Sequence, residues 1–279
     1  MKIGLAGINV GTMAVPEFGR LAALAEDLGY ESLWTAEHIV LPDVPPGETP
    51  RPGTMPFLDP MAALGYLAAH TRLMKLATGV LLLPQHHPLL LAKQLASVDT
   101  LSNGRLIVGI GVGGVEQEAR AIGSPMSERG SRADDYLRAM IAVWTMEHPS
   151  YAGRHTRFEG INAYPRPVQK PYPPFVVGGR SEGALRRTVR FAKGWYGYAM
   201  SVDQTRDVLE ALNAIRQRVN RPAELGDIEI TIAPREEVNA ETIAAYEAIG
   251  VSRLLVRPAW DRSLSDAEHV IRKHGPGPI

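Results

Sequence analysis

Hydrophobic positions along the chain fall into short continuous runs, separated by longer segments with helical spacing. Residues 2–6 read as a buried strand. Leu21, Leu24, Ala25 and Leu28 then recur along one helix face, with Pro16 in the first turn and Gly29 as the stop. The same alternation continues to the end of the chain. Further strands are predicted at 31–35, 76–83, 106–110, 175–177, 195–199, 228–232 and 253–256. Helices are predicted from Asp59-Pro60 to about residue 70, and over 89–101, 132–145, 182–192, 208–219 and 241–249. Asp59 suits an N-cap with Pro60 at the first helical position, and Ser102-Asn103-Gly104 closes the third helix. Apolar runs without alternation belong to strands buried on both faces, which is the condition of a parallel sheet. An open doubly wound sheet and a closed barrel both satisfy this pattern. Eight strands within 279 residues favour a single (β/α)8 TIM barrel, an α/β fold, as one domain spanning 1–279.

Two stretches escape the alternation. Pro42, Pro45, Pro46, Pro50, Pro52 and Pro56 break up the first, and 148–174 is again rich in proline and aromatic residues. Barrel enzymes carry their function in loops at the C-terminal face. Both stretches are therefore expected to be insertion loops that shape a pocket there and act as lids. Phe57, Tyr151, Phe158 and Tyr164 would make that pocket moderately apolar.

Composition narrows the function classes. Lys plus Arg equals Asp plus Glu at 30 each, so no global field draws the protein to nucleic acid or to an anionic membrane. The absence of cysteine removes disulfides, thiolate nucleophiles and sulfur-ligated metals. No apolar run approaches the roughly 18 residues a membrane helix needs, and residues 1–5 lead straight into a strand. The expectation is a cytoplasmic protein whose partner is a small-molecule substrate.

Four clusters fall at predicted strand ends. Trp34-Thr35-Ala36-Glu37-His38 sets a carboxylate beside an imidazole, which reads either as an acid/base group with its tuning partner or as a surface pair. Gly79-Val80 interrupts the third strand, as a bulge or a close approach to a ligand would, and Pro84-Gln85-His86-His87-Pro88 follows. With no HExxH or HxH pair, these histidines are expected to be structural loop residues and no metal site is expected. Gly109-Ile110-Gly111-Val112-Gly113-Gly114 has the spacing GxGxGG, which is not the dinucleotide fingerprint GxGxxG, and reads as backbone packed against a flat ligand. Val177-Gly178-Gly179-Arg180-Ser181 combines free backbone N–H groups, a helix-capping serine and a permanent cation, a pattern suited to phosphate. Arg186, Arg190 and Lys193 then form one basic helical stripe, either a solvated face or an extension of that anion site.

The order of these segments resembles the luciferase-like monooxygenase superfamily, and within it the coenzyme F-420-dependent oxidoreductases common in actinobacteria. The resemblance is carried by Thr78-Gly79-Val80-Leu81-Leu82-Leu83-Pro84, then His87-Pro88, then the run from Ala92 to Arg105, leading into Gly109-Ile110-Gly111-Val112-Gly113. It implies a cofactor ring lying across the strand C-termini, supported at a strand-three bulge that often contains a non-proline cis peptide, here at Gly79-Val80. It also implies that His38 donates or accepts the proton, with Glu37 orienting it or touching the cofactor. Gly111 and Gly113 would lie near the ring and ribityl chain, and Gly178, Gly179, Arg180 and Ser181 at the phosphate end. Some sugar-phosphate dehydrogenases of the superfamily carry a catalytic glutamate where this chain has Gly114, so that role is not moved to Glu116 or Glu118. The implied reaction is hydride transfer between the deazaflavin coenzyme F-420 and a small organic substrate. The alternatives are an FMN-dependent monooxygenase and a non-catalytic flavin-binding protein. Only the deazaflavin has a lactyl-glutamate tail, which the Arg186/Arg190/Lys193 stripe would meet. Relatives commonly form homodimers, so a homodimer is expected.

Overall fold

A computed structural model describes residues 1–43, 52–259, 261 and 263–277. Pro45, Pro46 and Pro50 lie outside the described residues. Among these, eight parallel strands close into a barrel: β1 (Lys2–Ala6), β2 (Ser32–Thr35), β3 in two pieces (Lys75–Thr78 and Leu81–Leu82), β4 (Leu106–Gly111), β5 (Phe175–Gly178), β6 (Gly194–Met200), β7 (Glu229–Pro234) and β8 (Arg253–Val256). β1 pairs with both β2 and β8, and the pairing of β3 with β4 completes the ring.

The helices of the barrel's outer ring are α1 (Phe18–Asp27), α2 (Pro60–His70), α3 (Pro88–Leu101), a short α4 (Glu116–Ala121), α5 (Arg129–Thr145), α6 (Glu182–Phe191), α7 (Val202–Arg216), α8 (Ala240–Glu247) and α9 (Leu264–Lys273). Asp59 caps α2 through Ala62 N–H, as its sequence predicts. Helices α4 and α9 were not anticipated. Ser263 and Asp266 form a capping box at the start of α9, with Ala267 and Ile271 buried below it, and that spacing was readable.

Each strand is buried on both sides. One set of side chains packs under the helices, and the other fills the lumen with Ala6, Trp34, Ala77, Ile107, Val176, Tyr196, Ala233 and Leu255. Trp34 stacks on Tyr196 with ring centres 5.6 Å apart. Arg253, 1% exposed, closes the N-terminal end of the lumen, paired with Glu31 at 2.8 Å and Glu229 at 3.4 Å.

The third strand is not continuous. It breaks at Gly79-Val80, whose peptide bond is cis, and resumes for two residues before a turn at Leu83–Gln85. The described parts of the loop after β2, 36–43 and 52–58, stand at the C-terminal face, as does the segment 112–128 after β4. The stretch 146–174 does not. It leaves the end of α5 and enters β5 from the opposite rim, where Gln169 bonds Asp99 and Leu106 O, and Pro174 O accepts Val108 N–H. Its hairpin, Tyr151–Ala152 against Arg157–Phe158, is pinned outside α5 by the Asp135 carboxylate. The expected lid role of this stretch is therefore corrected, because a helix-to-strand connection begins on the N-terminal side of the barrel.

Candidate active site

The end of β2 is held by a buried amide. Asn9 Oδ1 accepts Ala36 N–H at 2.8 Å, while its Nδ2 donates to Ala36 O and Leu58 O. These bonds fix the chain just before Glu37 and His38 and hold Leu58 beside it, with the Phe57 ring edge-on to His38. Asn9 was missed, since a lone asparagine after a strand carries no distinctive signal.

Glu37 and His38 do not serve one another. Glu37 accepts Leu82 N–H at 2.5 Å and sits 3.0 Å from His86 Nε2 through both oxygens. It joins the end of β2 to the resumed part of β3. His38 Nδ1 lies 3.1 Å from Glu118 Oε2 instead, and Glu118 Oε1 accepts Ile39 N–H at 2.7 Å. Glu118, on α4, is fully buried. The expectation that Glu37 orients His38 is thus corrected, because successive residues leave a strand end in opposite directions. The carboxylate on the imidazole was hidden eighty residues downstream, on a helix too short to read. A carboxylate oxygen at Nδ1 favours the tautomer whose ring proton sits there, which turns Nε2 of His38 to the groove as the acid/base atom.

The barrel mouth carries a groove of two lobes. The first, about 420 Å³, lies over Ala6, Gly7, His38, Phe57, Tyr196 and Arg257, with Glu37 also at its wall. The second, about 320 Å³, is lined by Gly111, Gly113, Gly178, Gly179, Arg180 and Trp195 among others. Gly79 lines the first lobe, and Val80, Leu82, Tyr196 and Tyr198 line both. Val80 is the ridge between them.

Several of the glycines face that ridge. A Cβ on Gly111 would stand 2.6 Å from Val80 Cγ2, and one on Gly178 would stand 3.2 Å from Val80 Cγ1. A Cβ on Gly109 would meet Thr78 O at 1.8 Å. The glycine runs that read as ligand contacts are therefore required first by the strand-three bulge. Gly113 and Gly179 have φ of 76° and 107°, so each turns the chain away at the groove edge where an L side chain would be strained. Gly179 O accepts the Trp195 indole N–H, and Ser181 caps α6 through Ala184 N–H. Arg180 lines the second lobe and has no carboxylate partner among the described residues.

The basic stripe leads away from the groove. Arg186 approaches Glu182, Arg190 lies over Phe191, and Lys193 N–H bonds Phe175 O at the start of β5, on the opposite rim. A helix running antiparallel to its strand carries its later residues away from the mouth, so Arg190 and Lys193 lie toward the opposite rim. Of the four aromatic residues expected at the pocket, Phe57 lines it. Tyr196, Tyr198 and Arg257 line it too, and were not anticipated. Among the described residues no helix is long and apolar enough to cross a membrane, and no group of three or more acidic or histidine side chains gathers to hold a metal ion.

Comparison with known proteins agrees with this architecture over the whole chain. The luciferase-like monooxygenase family profile matches residues 4–272. An uncharacterised protein of Mycobacterium tuberculosis is 31% identical over 262 residues, covering 90% of each chain. An FMNH(2)-dependent dimethylsulfone monooxygenase of Pseudomonas putida is 30% identical over 182 residues, which are 64% of this chain and 50% of that protein. Among solved structures, an F-420-dependent secondary alcohol dehydrogenase superposes with a TM-score of 0.78 at 12% identity, covering 98% of this chain and 97% of that one. The monooxygenase RslO1 from Streptomyces bottropensis gives 0.74 at 21% identity, with 98% and 97% covered. A parallel barrel with a broken third strand, a glycine-bordered groove at its mouth and a family match across nearly its full length together show that this chain belongs to the luciferase-like monooxygenase family.

Proposed function

We propose that this protein is an oxidoreductase that transfers hydride between coenzyme F-420 and a small organic substrate bound in the first lobe. The observation that carries the reading is the His38–Glu118 pair at the wall of an apolar lobe, next to a second lobe edged by glycine backbone and Arg180.

The residues present fit such a cofactor. Val80 and Tyr196 offer a flat apolar support common to both lobes. Gln85, buried beside Gly113, has an Oε1 with no hydrogen-bond partner among the described residues, an acceptor that a ligand hydroxyl would satisfy. Arg180 and the backbone leading to the N-terminus of α6 would hold a phosphate. When bound, the deazaflavin supplies or accepts the hydride. The chain supplies the rest. His38 Nε2 gives or takes the accompanying proton, and Glu118 keeps Nδ1 protonated and the ring aimed. The apolar wall excludes water from the reacting atoms.

A second reading, FMN-dependent monooxygenation, is favoured by the 30% identity to the FMNH(2)-dependent dimethylsulfone monooxygenase. Fluorescence titration of the purified protein with F-420 and with FMN separates the two. Saturable binding of F-420 without FMN binding is expected. The reverse preference moves the assignment to the monooxygenase, and binding of neither overturns both. In the loaded enzyme, Glu118→Gln should keep cofactor affinity, lower turnover by about 100-fold and shift the pH profile, within the range of acid–base contributions. An unchanged profile would remove His38 from the proton step.

A further inference from the structure

The first lobe contains a cation that the proposed cofactor chemistry does not use. Arg257, one residue past β8, lines the lobe beside Pro258 and Ala259. One terminal nitrogen, Nη2, donates to Pro234 O at 2.7 Å, and the guanidinium carbon lies 5.0 Å from the centre of the Tyr198 ring. These two contacts fix the plane of the group, and its other N–H donors have no hydrogen-bond partner among the described residues. No carboxylate among the described residues pairs with it.

The other charged groups at the wall, among the described residues, do not neutralise it. Glu37 commits both oxygens to Leu82 N–H and His86, and the Glu118 carboxylate lies behind His38, fully buried. The rest of the lobe is apolar or aromatic, including Val10, Phe57, Val80 and Tyr196. An oriented guanidinium in apolar surroundings favours an anionic group over a neutral one, because its remaining donors would otherwise be left poorly satisfied once water is displaced. Among the described residues, the two arginines that line the groove are also segregated. Arg180 lines only the second lobe and Arg257 only the first. A phosphate held at the glycine-edged end leaves Arg257 for whatever occupies the end with the imidazole.

We infer that the substrate is a small apolar carboxylic acid, with Arg257 anchoring its carboxylate while its apolar body rests on Val80 and Tyr196 beside His38. This rests on the reading of the groove as a redox site, and deepens it by naming the substrate class.

The test pairs each acid with a neutral isostere: phenylacetate with phenylacetamide, and hexanoate with hexanamide. Binding is measured calorimetrically on the cofactor-free protein and on protein loaded with whichever cofactor binds. Each acid is expected to bind about 10- to 100-fold more tightly than its amide, the range of a charge-assisted hydrogen bond. That preference should vanish in Arg257→Met, survive in part in Arg257→Lys and persist in Arg180→Met, while Arg257→Met keeps cofactor affinity. Thermal melts confirm that each variant is folded. Equal binding of acid and amide overturns the inference, as does binding of neither. A preference that survives Arg257→Met, or loss of cofactor binding in that variant, overturns it as well. Failure of both cofactors to bind would instead defeat the redox reading, with the acid–amide comparison on the cofactor-free protein still deciding the anchor.

Discussion

Glu37 and His38 are neighbours in sequence and strangers in space. Glu37 points to His86 and Leu82 N–H, and His38 points to Glu118. The first pair is a fastener between two strands, and its charge state couples it to pH. Burial works against the charged form of His86, but the hydrogen bond and charge of Glu37, with Asp59 adding, outweigh it and hold the pKa above the ordinary 6.5. A raised folded-state pKa means that the stabilisation is fully present below about pH 6.5 and is lost as pH rises through the folded value. The difference in melting temperature between the wild type and His86→Ala should be widest near about pH 6 and narrow toward about pH 9. Calorimetric scans across that range would show it, and a gap that widens with pH would remove the pair from the stability of the fold.

At the scale of elements, the bulge in β3 and the glycines of β4 are one device. Thr78 O and the two methyl groups of Val80 occupy the space that side chains at positions 109, 111 and 178 would take. The obstacles differ in kind. Gly109 faces a backbone carbonyl, which cannot give way, and Gly111 faces the end of a side chain. Gly111→Ala should cost about 1–3 kcal/mol as overpacking, and Val80→Ala in the same chain should recover most of that. Gly109→Ala should fail to fold, with or without the change at Val80. Denaturant unfolding of the four variants distinguishes these outcomes, and equal penalties at 109 and 111 would refute the distinction.

At the scale of the whole molecule, the closed end of the barrel depends on Arg253. Its guanidinium bonds Thr231 and bridges Glu31, at the entry to β2, and Glu229, on β7, beneath the Trp34 ring. Glu31 is partly buried, which favours its neutral form, yet its hydrogen bond and attraction to Arg253 hold its pKa below 4.5. A depressed carboxylate contributes stability above its unfolded pKa, and that contribution is lost as pH falls through the folded value. Arg253→Met takes its main partner from the partly buried Glu31, while Glu229 keeps Lys2, and should cost about 1–3 kcal/mol near neutral pH, as leaving a charge without its partner does. The penalty should shrink once the solution falls below about pH 4.5, where the Glu31 carboxylate protonates. Equilibrium unfolding at the two pH values measures both effects, and a penalty independent of pH would contradict the network.

The barrel was legible because each strand is an unbroken apolar run and each helix a periodic stripe, and both depend only on near neighbours in the chain. The family was legible for a related reason: residues 92–105 hold a structural knot in which Arg105 bonds Ala68 O, Thr71 O, Met74 O and Ser102 O, and Asp99 holds Gln169, so their order is dictated by packing away from the groove. Positions at strand ends were also readable as the place of the site, since barrel topology brings all eight ends to one face. Partnerships were not. Glu118 meets His38, Glu37 meets His86, and Arg257 meets Tyr198 only because barrel closure sets residues from distant units side by side. Local pattern determines which residues form an element and which face is buried. Which side chain meets which across the mouth is decided by the register and closure of the sheet, which no single segment contains.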